Sequence, residues 1–404
     1  MSHPIPKPIK YKFFTPGVII VSMIALNGIV FILMRFIFGI GSVTNLNNQY
    51  PWGLWIGVDV AAGVALAAGG FMSAALGHIF HRDDYHCIVR PALLTAMLGY
   101  TFVAFGVFID IGRWYYIWHP LVMWNPNSAL FEVGICVMIY LTVLYIEFMP
   151  ILTERFLGKV NLPGILKSLN GLVEKILTLI DNTLNKAQFI FIIAGVVLSS
   201  LHQSSLGTLM IIAGDKMHPL WQTPILPLLF LISAVAVGFP MIIFEGLIAA
   251  RSFKLKPEML VLGKLATTVP LLLGVYVAFK IGDMMIRKSF VYLAEINLQS
   301  VMFVIEMLMI IIPGIMLNFK GVLKSPSKLF IASALIVGGV LLNRINNFIV
   351  AYNPPYKVEA YFPSFGEISV TLGAIALMVL LYRAFVMIFP VIAQEDNHLS
   401  VKKV

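Results

Sequence analysis

Long uninterrupted runs of apolar residues alternate with short polar segments along the whole chain. The runs lack the alternation of apolar and polar positions that marks a membrane barrel strand. A helix needs roughly 20 apolar residues to cross the hydrocarbon core of a bilayer. The pattern therefore predicts ten membrane-spanning helices, numbered here as spans 1 to 10 in chain order: 16–38, 54–80, 91–113, 128–151, 187–212, 225–249, 259–282, 299–319, 328–351 and 367–391.

One connection between the predicted spans is long enough to hold structure of its own. In segment 160–186 the apolar residues recur at intervals of three and four positions, which places them on one face of a helix. The segment is predicted to be an amphipathic helix lying along the inner membrane surface. No fixed-period repeat and no soluble domain is found, so residues 1–404 are predicted to form a single transmembrane domain.

The composition removes the soluble alternatives. Hydrophobic residues make up 59% of the chain and charged residues 12%, and the mean hydropathy is +0.92. An average globular domain carries about 25% charged residues. A soluble enzyme and a nucleic-acid-binding protein are therefore disfavoured. Since backbone in lipid must satisfy its own hydrogen bonds, the fold class is an all-α, polytopic integral membrane protein of about ten helices.

The net charge of +9 is explained by topology rather than by an acidic ligand. Eighteen Lys and Arg residues fall in the two terminal segments and the alternate connections that share their side of the membrane. The opposite set of connections holds four. The positive-inside rule then predicts that both termini are cytoplasmic, and an even number of spans agrees.

Ionisable residues inside the predicted spans are the main candidates for function, because a charge at membrane depth is costly. Asp110 and Arg113 are three residues apart, so they are predicted to share one helix face, on which they can pair. Two further carboxylates, Glu147 and Glu245, lie towards the inside. Seven ionisable residues lie at similar depth towards the outside: Asp59, Asp110, Arg113, Glu132, His202, Glu306 and Arg344.

The polar run His202-Gln-Ser-Ser205 lies in the middle of hydrophobic span 5. Polar contacts between helices need only one face, whereas four consecutive polar residues point in every direction. The run therefore indicates the lining of a polar pocket or of a water path.

Reduction of a quinone matches this set of residues, because it requires two electrons, two protons, hydrogen bonds to the carbonyls and apolar walls. A quinone pocket is predicted near the outer leaflet, bounded by spans 2 to 5. Three residues are assigned to its lining: Trp52, Gln203 and Ser205. Five are assigned to quinone binding and protonation: Asp59, Asp110, Arg113, Glu132 and His202.

Glu132 and Glu147 are fifteen residues apart on span 4, about 22 Å along the helix axis. With Glu245 on span 6, they predict a route for protons from the cytoplasm to the outer pocket. The alternative is that Glu147 and Glu245 lie at the wet inner interface, where a carboxylate costs little.

Metal sites are not predicted. The chain has two cysteines, Cys87 and Cys136, and they offer neither a disulfide framework nor cluster ligands. A b-type haem needs two axial ligands at matched depth. His78 lies at the inner end of span 2 and His202 in the outer half of span 5, so no convincing pair is present.

The tryptophans are concentrated at the outer ends of the spans and in the outer connections. An interfacial aromatic belt would lie on both sides of the membrane. The one-sided distribution instead favours a docking surface or the mouth of a site on the outer face. All six belong to this group: Trp52, Trp55, Trp114, Trp118, Trp124 and Trp221.

These residues also carry a family resemblance: the chain resembles the NrfD/PsrC superfamily, and most closely its HybB-type membrane subunits of periplasmic nickel–iron hydrogenases. The similarity covers nearly the whole chain. It rests on Tyr50–Asp59, His86–Leu94, Asp110–Arg113, Asn127–Glu132, Leu201–Met210, Met217–Gln222 and Ala360–Ser364.

The resemblance implies a ten-helix subunit of the bacterial inner membrane that exchanges electrons with menaquinone or ubiquinone and is not catalytic alone. It implies a periplasmic iron–sulfur ferredoxin-like partner with a hydrogenase or another catalytic subunit beyond it. A multihaem cytochrome c is the alternative partner within the same superfamily. Neither haem nor an iron–sulfur cluster is expected in this chain.

Two other functions compete with this interpretation. A secondary transporter would use the buried ions as a substrate site, but inverted repeats and helices broken near the midplane are not found in the sequence. A purely structural anchor would not need seven costly ionisable groups at one depth. A quinone-linked redox subunit, with proton translocation as a further possibility, accounts for more of the residues.

Overall fold

The protein is seen in a computed structural model that describes residues 5–79, 85–161, 163–356 and 359–394, without the side chains at 5, 78–79, 86, 164–166, 185 and 394. Within these ranges ten helices are long and apolar enough to cross a membrane, which confirms the all-α polytopic class. Residue 80 of span 2, Leu162 of segment 160–186, and the basic residues Arg82, Lys357, Lys402 and Lys403 lie outside the described residues. The spans are Pro16–Phe38, Trp55–Gly77, Cys87–Asp110, Ala129–Phe156, Lys186–Ile212, Leu226–Phe253, Met259–Ile286, Leu298–Met316, Pro326–Val350 and Phe365–Ile388.

Three spans depart from regular α-helix. Span 2 starts with π-helical turns over Trp55–Ala62, continues as α-helices Gly63–Leu66 and Gly69–Ala74, and ends in π-helical Ala75–Ile79. Span 7 consists of Met259–Ala266 and Val269–Ile286. In span 9, α-helix Pro326–Ile345 passes into π-helical Asn346–Val350. Such π-turns are frequent at functional sites.

Span 5 is the second part of a much longer helix. A 3-10 helix at Gly164–Leu169 leads into α-helix Asn170–Ile212, which is 43 residues long. Its first part contacts the end of span 4, where the Gly158 amide donates to the Glu174 carboxylate at 2.7 Å. The amphipathic segment is thus continuous with span 5, and its position along the inner membrane surface stays a prediction.

The two ends of the described chain meet on one face of the bundle. Strand Ile5–Pro6 pairs antiparallel with strand Ala393–Gln394, and the Ile9 amide donates to the Val386 carbonyl at 3.1 Å. The name inner face is used for this side and outer face for the opposite side. Short helices mark the connections: on the outer face Ile40–Ser42, Trp114–Tyr116, His119–Leu121, Gly214–Lys216 and Ser289–Ala294, and on the inner face Lys320–Leu323.

Span 1 lies at the edge of the bundle and packs mainly on span 10. Gly28 and Gly373 allow the two helices to touch, since a Cβ built on Gly28 would lie 2.5 Å from the Gly373 Cα. The remaining spans surround two apolar cores, and the polar groups described below lie between the spans that form them. This arrangement places costly polar groups where other helices, not lipid, surround them.

Candidate functional site

The first group of buried polar residues, called the deep polar cluster, consists of Tyr100, Tyr140, Ser199, His202 and Gln203. His202 is fully buried, and the Tyr100 ring lies 5.6 Å from its ring, measured between centroids. Tyr140 packs edge-to-face on Tyr100 at 4.4 Å. The Gln203 amide donates to the Val64 carbonyl of span 2 at 2.8 Å. Spans 2, 3, 4 and 5 therefore meet at this cluster.

Several atoms of the deep polar cluster have no hydrogen-bond partner among the described residues. They are both ring nitrogens of His202, the Tyr100 hydroxyl, the Ser199 hydroxyl and the Gln203 carbonyl oxygen. Each unpaired buried polar group costs about 1–3 kcal/mol. Such a concentration suits a site that donates hydrogen bonds to, and accepts them from, a polar head group. His202 is ten residues from the outer end of span 5, about 15 Å at the helical rise.

Glu132 lies nearer the outer surface than this cluster. It is an exposed residue in the first turn of span 4, where a carboxylate is favoured by the positive end of the helix dipole. Its Oε1 accepts a hydrogen bond from the Ser205 hydroxyl at 2.5 Å. Ser205 also donates to the Leu201 carbonyl of its own helix at 2.8 Å. These contacts join the predicted site residues of spans 4 and 5.

A second group, called the carboxylate cluster, lies among spans 1, 2, 3 and 10. It contains Arg35, Asp59, Asp110, Glu367 and Thr371. The Thr371 hydroxyl donates to Asp59 at 2.8 Å. Asp110 is within electrostatic range of Arg35, Asp59 and Glu367. The predicted pocket bounded by spans 2 to 5 thus omits spans 1 and 10, which supply Arg35, Glu367 and Thr371 to this cluster.

The prediction that Asp110 and Arg113 share one helix face is wrong. The helix of span 3 ends at Asp110, and Ile111 already has extended backbone, so the two residues do not share a helix face. Arg113 is exposed in the outer connection. The cation near Asp110 is Arg35, which is not among the predicted site residues.

Glu367 completes the carboxylate cluster near the outer surface. It is fully buried at the start of span 10, where it forms a capping box with Ser364. Its Oε1 accepts a hydrogen bond from the Tyr361 hydroxyl, and its Oε2 accepts one from the backbone N–H of Asn45 at 3.1 Å. Burial, together with the hydrogen bond to this carboxylate, raises the pKa of Tyr361 well above its usual value. The tyrosine therefore remains a donor.

Glu306 and Arg344 belong to a third group in the second half of the chain. Glu306 is fully buried and accepts from Trp221 Nε1 at 3.0 Å, Asn343 Nδ2 at 2.7 Å and Asn346 Nδ2 at 2.8 Å. Lys280 of span 7 lies 3.8 Å from its Oε1. Arg344 donates to Asn343 at 2.5 Å and to Ser233 at 2.9 Å. This group, the Glu306 network, contacts the first two groups through no described hydrogen bond.

The two inner carboxylates, Glu147 and Glu245, face different spans. Glu147 faces span 5, because a Cβ built on Gly195 would lie 3.2 Å from its Oε1. Glu245 lines a cavity of about 510 Å³ at the inner end of spans 3, 6 and 10. The hydroxyls of Thr95 and Tyr382 lie beside it, and its Oε1 has no partner among the described residues. Lys254 and Lys256 line the same cavity.

Only some of the tryptophans form an exposed outer surface. Trp114, Trp118 and Trp124 are exposed, with 73% of Trp124 accessible. In contrast, Trp55 and Trp221 are buried, and their indole groups donate to the Glu367 carbonyl and to Glu306. The expectation that all six tryptophans form one outer surface is wrong for these two, because a buried indole N–H needs an acceptor inside the protein.

Trp52 also differs in position from the other predicted lining residues. It is half-buried and packs near Phe348 of span 9, with the two ring centroids 6.2 Å apart. Gln203 and Ser205 instead contact spans 2 and 4. The structure therefore brings His202, Gln203, Ser205 and Glu132 together, and it leaves Trp52 and Arg113 apart from them.

Sequence reasoning missed three charged residues that the structure places in polar groups: Arg35, Glu367 and Lys280. A signal is present for all three, because Arg35, Lys280 and Glu367 lie inside predicted spans and carry the same energetic cost as the predicted site residues. Glu367 also has the capping-box pattern Ser364-x-x-Glu at the start of span 10. That pattern explains a helix start and gives no indication of neighbouring carboxylates.

Comparison with known proteins shows the family. The family model described as polysulphide reductase, NrfD, matches residues 42–353. The chain belongs to the NrfD family. This confirms the resemblance stated above, and with the ten apolar helices it confirms a multi-pass protein of the bacterial inner membrane.

Three relatives of this NrfD-family chain have names of hydrogenase or reductase subunits. It is 33% identical to the probable Ni/Fe-hydrogenase 2 b-type cytochrome subunit of Escherichia coli strain K12, over 98% of both chains. It is 26% identical to the menaquinone reductase, integral membrane subunit, of Nitratidesulfovibrio vulgaris, over 88% of this chain and 87% of that one. It is 24% identical to a selenate reductase subunit of Mesobacillus selenatarsenatis, over 96% of each.

The name of the E. coli relative makes a b-type haem a question for this chain. The histidines with described side chains are His119, His202 and His218. His119 and His218 lie in outer connections, whereas His202 is deep in span 5 with the Tyr100 ring beside it. Within the described side chains, no second histidine lies at the depth of His202. These residues do not fit a bis-histidine haem.

Proposed function

We propose that this NrfD-family chain is the quinone-interacting subunit of a respiratory redox complex. It exchanges electrons between an iron–sulfur partner of hydrogenase type at the outer face and the menaquinone or ubiquinone pool. The observation that carries the proposal is His202, fully buried beside Tyr100 and Gln203 with both ring nitrogens unpartnered among the described residues. The names of the menaquinone reductase and hydrogenase relatives support the substrate and the partner.

The chemistry assigns a task to each polar group. A quinone takes up two electrons and two protons to become a quinol, and its carbonyl oxygens accept hydrogen bonds. His202 and Tyr100 are the donors at the deep end. Asp59 and Asp110 are the carboxylates that exchange protons nearer the outer surface, with Glu132 on the span 4 side. General acid–base groups at such positions contribute about 10²- to 10⁴-fold in rate.

The outer connection between spans 3 and 4 is the proposed docking surface for the partner. It exposes Trp114, Trp118 and Trp124, and Arg113 is the single Lys, Arg, Asp or Glu between Ile111 and Ser128. Interfaces are enriched in aromatic residues and depleted in charge at their centre. Docking at this face places the partner's cluster on the same side as the carboxylate cluster.

A photo-crosslinking amino acid tests the docking surface. Substituted for Trp118, it is expected to join this chain to the electron-transfer partner in the assembled complex. The matched control is Phe319, which is equally apolar and exposed but lies on the inner face. Crosslinks from Phe319 alone would overturn both the docking surface and the cytoplasmic location of the termini.

Proton uptake from the cytoplasm is the further part of the proposal. The inner cavity gives access to Glu245. Glu147 lies on span 4, closer to the inner face than Glu132. Glu147→Gln and Glu245→Gln are compared in proteoliposomes, with quinone turnover and membrane potential measured together. Loss of potential per electron with turnover retained supports the route, and unchanged potential per electron in both variants excludes it.

Substitution of His202 tests the quinone site itself. His202→Ala is expected to lower quinone turnover of the assembled complex by at least about 10²-fold, since a donor at the reacting carbonyl is removed. Ser200→Ala is the control on the same span, because the Ser200 hydroxyl donates only within its helix, to the Val196 carbonyl at 2.8 Å. Unchanged turnover in an assembled His202→Ala complex would contradict the assignment.

A further inference from the structure

We infer that Arg35 of span 1 is a positioning residue of the quinone site: it fixes the outer end of span 3 and holds the Asp110 carboxylate for proton exchange. The inference rests on the proposed function, because it gives Asp110 a task in quinone chemistry. It also makes span 1, which otherwise lies at the edge of the bundle, a part of the site.

The contacts of Arg35 are concentrated on the backbone around Asp110. The side chain is 1% exposed, and its Nε and Nη2 donate to the carbonyls of Ile109 and Ile111, each at 2.5 Å. The last carbonyls of a helix lack intrahelical donors, and an arginine near a helix C-terminus binds them well. The guanidinium therefore bridges the residues on either side of Asp110 and fixes where its carboxylate lies.

The positive charge of Arg35 lies near Asp110, but the described hydrogen bonds of Arg35 go to backbone carbonyls and not to the carboxylate. Arg35 and Asp110 interact electrostatically. The donors Nε and Nη2 are used on carbonyls, and the Oδ1 of Asp110 has no hydrogen-bond partner among the described residues. An arginine that neutralised the charge through a bidentate bond would have closed the carboxylate to a substrate. Here the carboxylate keeps a nearby cation and a free oxygen.

Arg383 shows what a purely structural buried arginine looks like in the same chain. It is 5% exposed and also donates to backbone carbonyls, those of Lys12 and Phe13. Aromatic rings surround it: Tyr11, Phe13 and Phe253. Its other described hydrogen bond goes to the Ser252 hydroxyl, and no carboxylate among the described residues contacts it. Arg383 therefore matches Arg35 in burial and in backbone contacts and differs in having no described carboxylate to position.

The test compares Arg35→Gln, Arg35→Lys and Arg383→Gln in the assembled complex, with a short-chain naphthoquinone as the probe. Arg35→Gln is expected to lower kcat about 100-fold and to leave KM within about twofold, because a small displacement of a reacting group costs this much in rate. Arg35→Lys keeps the charge and is expected to recover kcat to within about tenfold of the parent. Arg383→Gln is expected to lower thermal stability while the assembled complex keeps its kcat.

The inference is overturned if Arg35→Gln and Arg383→Gln change kcat alike, or if Arg35→Gln leaves kcat unchanged. If Arg35→Gln fails to assemble, Arg35→Lys decides: a kcat lowered by up to about tenfold with KM unchanged supports the positioning role, and a fully parental kcat contradicts it. Asp110→Asn separates this inference from the proposed function. A loss of kcat in Asp110→Asn without one in Arg35→Gln refutes only the role of Arg35, and no loss in Asp110→Asn refutes the role of the carboxylate itself.

Discussion

Removal of the Lys280 ammonium is expected to destabilise the second half of the bundle by several kcal/mol. Lys280 and Glu306 are 3% and 0% exposed, and their charged atoms are 3.8 Å apart. Coulomb's law at this distance with an effective dielectric constant near 20 gives about 4 kcal/mol. Loss of one partner of a buried ion pair costs about 3–5 kcal/mol, because the other charge stays buried and loses its counter-ion. Lys280→Met is therefore expected to cost about that much.

Thermal unfolding of the purified protein measures the effect. At the usual unfolding entropy per residue, a chain of 404 residues loses roughly 4–6 °C in Tm for this cost. Lys328→Met is the control, since Lys328 is exposed on span 9 and surface substitutions stay within about 0.5 kcal/mol.

A double-mutant cycle identifies the pair as the cause. Glu306→Gln alone is expected to cost more than Lys280→Met, because three donors also lose their charged acceptor. The double variant is expected to lose less than the sum of the single variants by about 2 kcal/mol, within the range for residues in contact. Effects that add within about 0.5 kcal/mol would refute the reasoning, since independent residues behave in that way.

Three further predictions follow from the packing, the charges and the donor set. Gly28→Leu is expected to separate span 1 from span 10 and to lower the Tm, because a Cβ at Gly28 would lie 2.5 Å from the Gly373 Cα. Gly17→Leu is the control, since a Cβ at Gly17 meets no atom within 4 Å. Equal Tm values for the two variants would contradict the prediction. Burial lowers the pKa of His218 below its usual value of 6.5, although the charge of Glu295 opposes this shift. The neutral imidazole therefore stabilises the folded protein above pH 6.5. This stability is lost as the pH falls below 6.5, because the unfolded chain binds the proton more readily. His218→Gln is expected to reduce the Tm difference between about pH 7.5 and about pH 5.5, and an unchanged difference would contradict the assignment. A pyridine haemochrome assay of the purified chain is expected to give well under one haem per chain, and one haem per chain would show that the ligand reasoning is wrong.

The spans can be predicted from the sequence because each apolar run is long enough to cross a bilayer and no soluble structure competes for it. The ends of the spans are harder to predict. Hydropathy places span 3 at 91–113, whereas its helix ends at Asp110 and the chain turns at Gly112 and Arg113. The boundary escapes detection because Ile111 and Trp114 continue the apolar pattern. This error in the boundary is the reason why Asp110 and Arg113 are predicted to share a helix face.

The site can be predicted only in part. The sequence indicates how deep in the membrane a residue lies, but it does not indicate which distant helix that residue faces. His202, Gln203 and Ser205 are identified by their polarity, and Glu132 by its place in span 4. The partners of Asp59 and Asp110 come from span 1 and span 10, which are far away in sequence. The aromatic rings around His202, from Tyr100 and Tyr140, resemble ordinary core residues in their own helices.

Photolabelling with an azido-quinone is the measurement that tests the central claim most directly. The assembled complex is labelled in the membrane, digested and mapped by mass spectrometry, with an excess of unmodified quinone as competitor. Competed labels are expected on spans 3 and 5 around Tyr100 and His202, close to the only fully buried described histidine. Competed labels confined to the inner cavity around Glu245, or to the Glu306 network, would contradict a quinone site at the deep polar cluster.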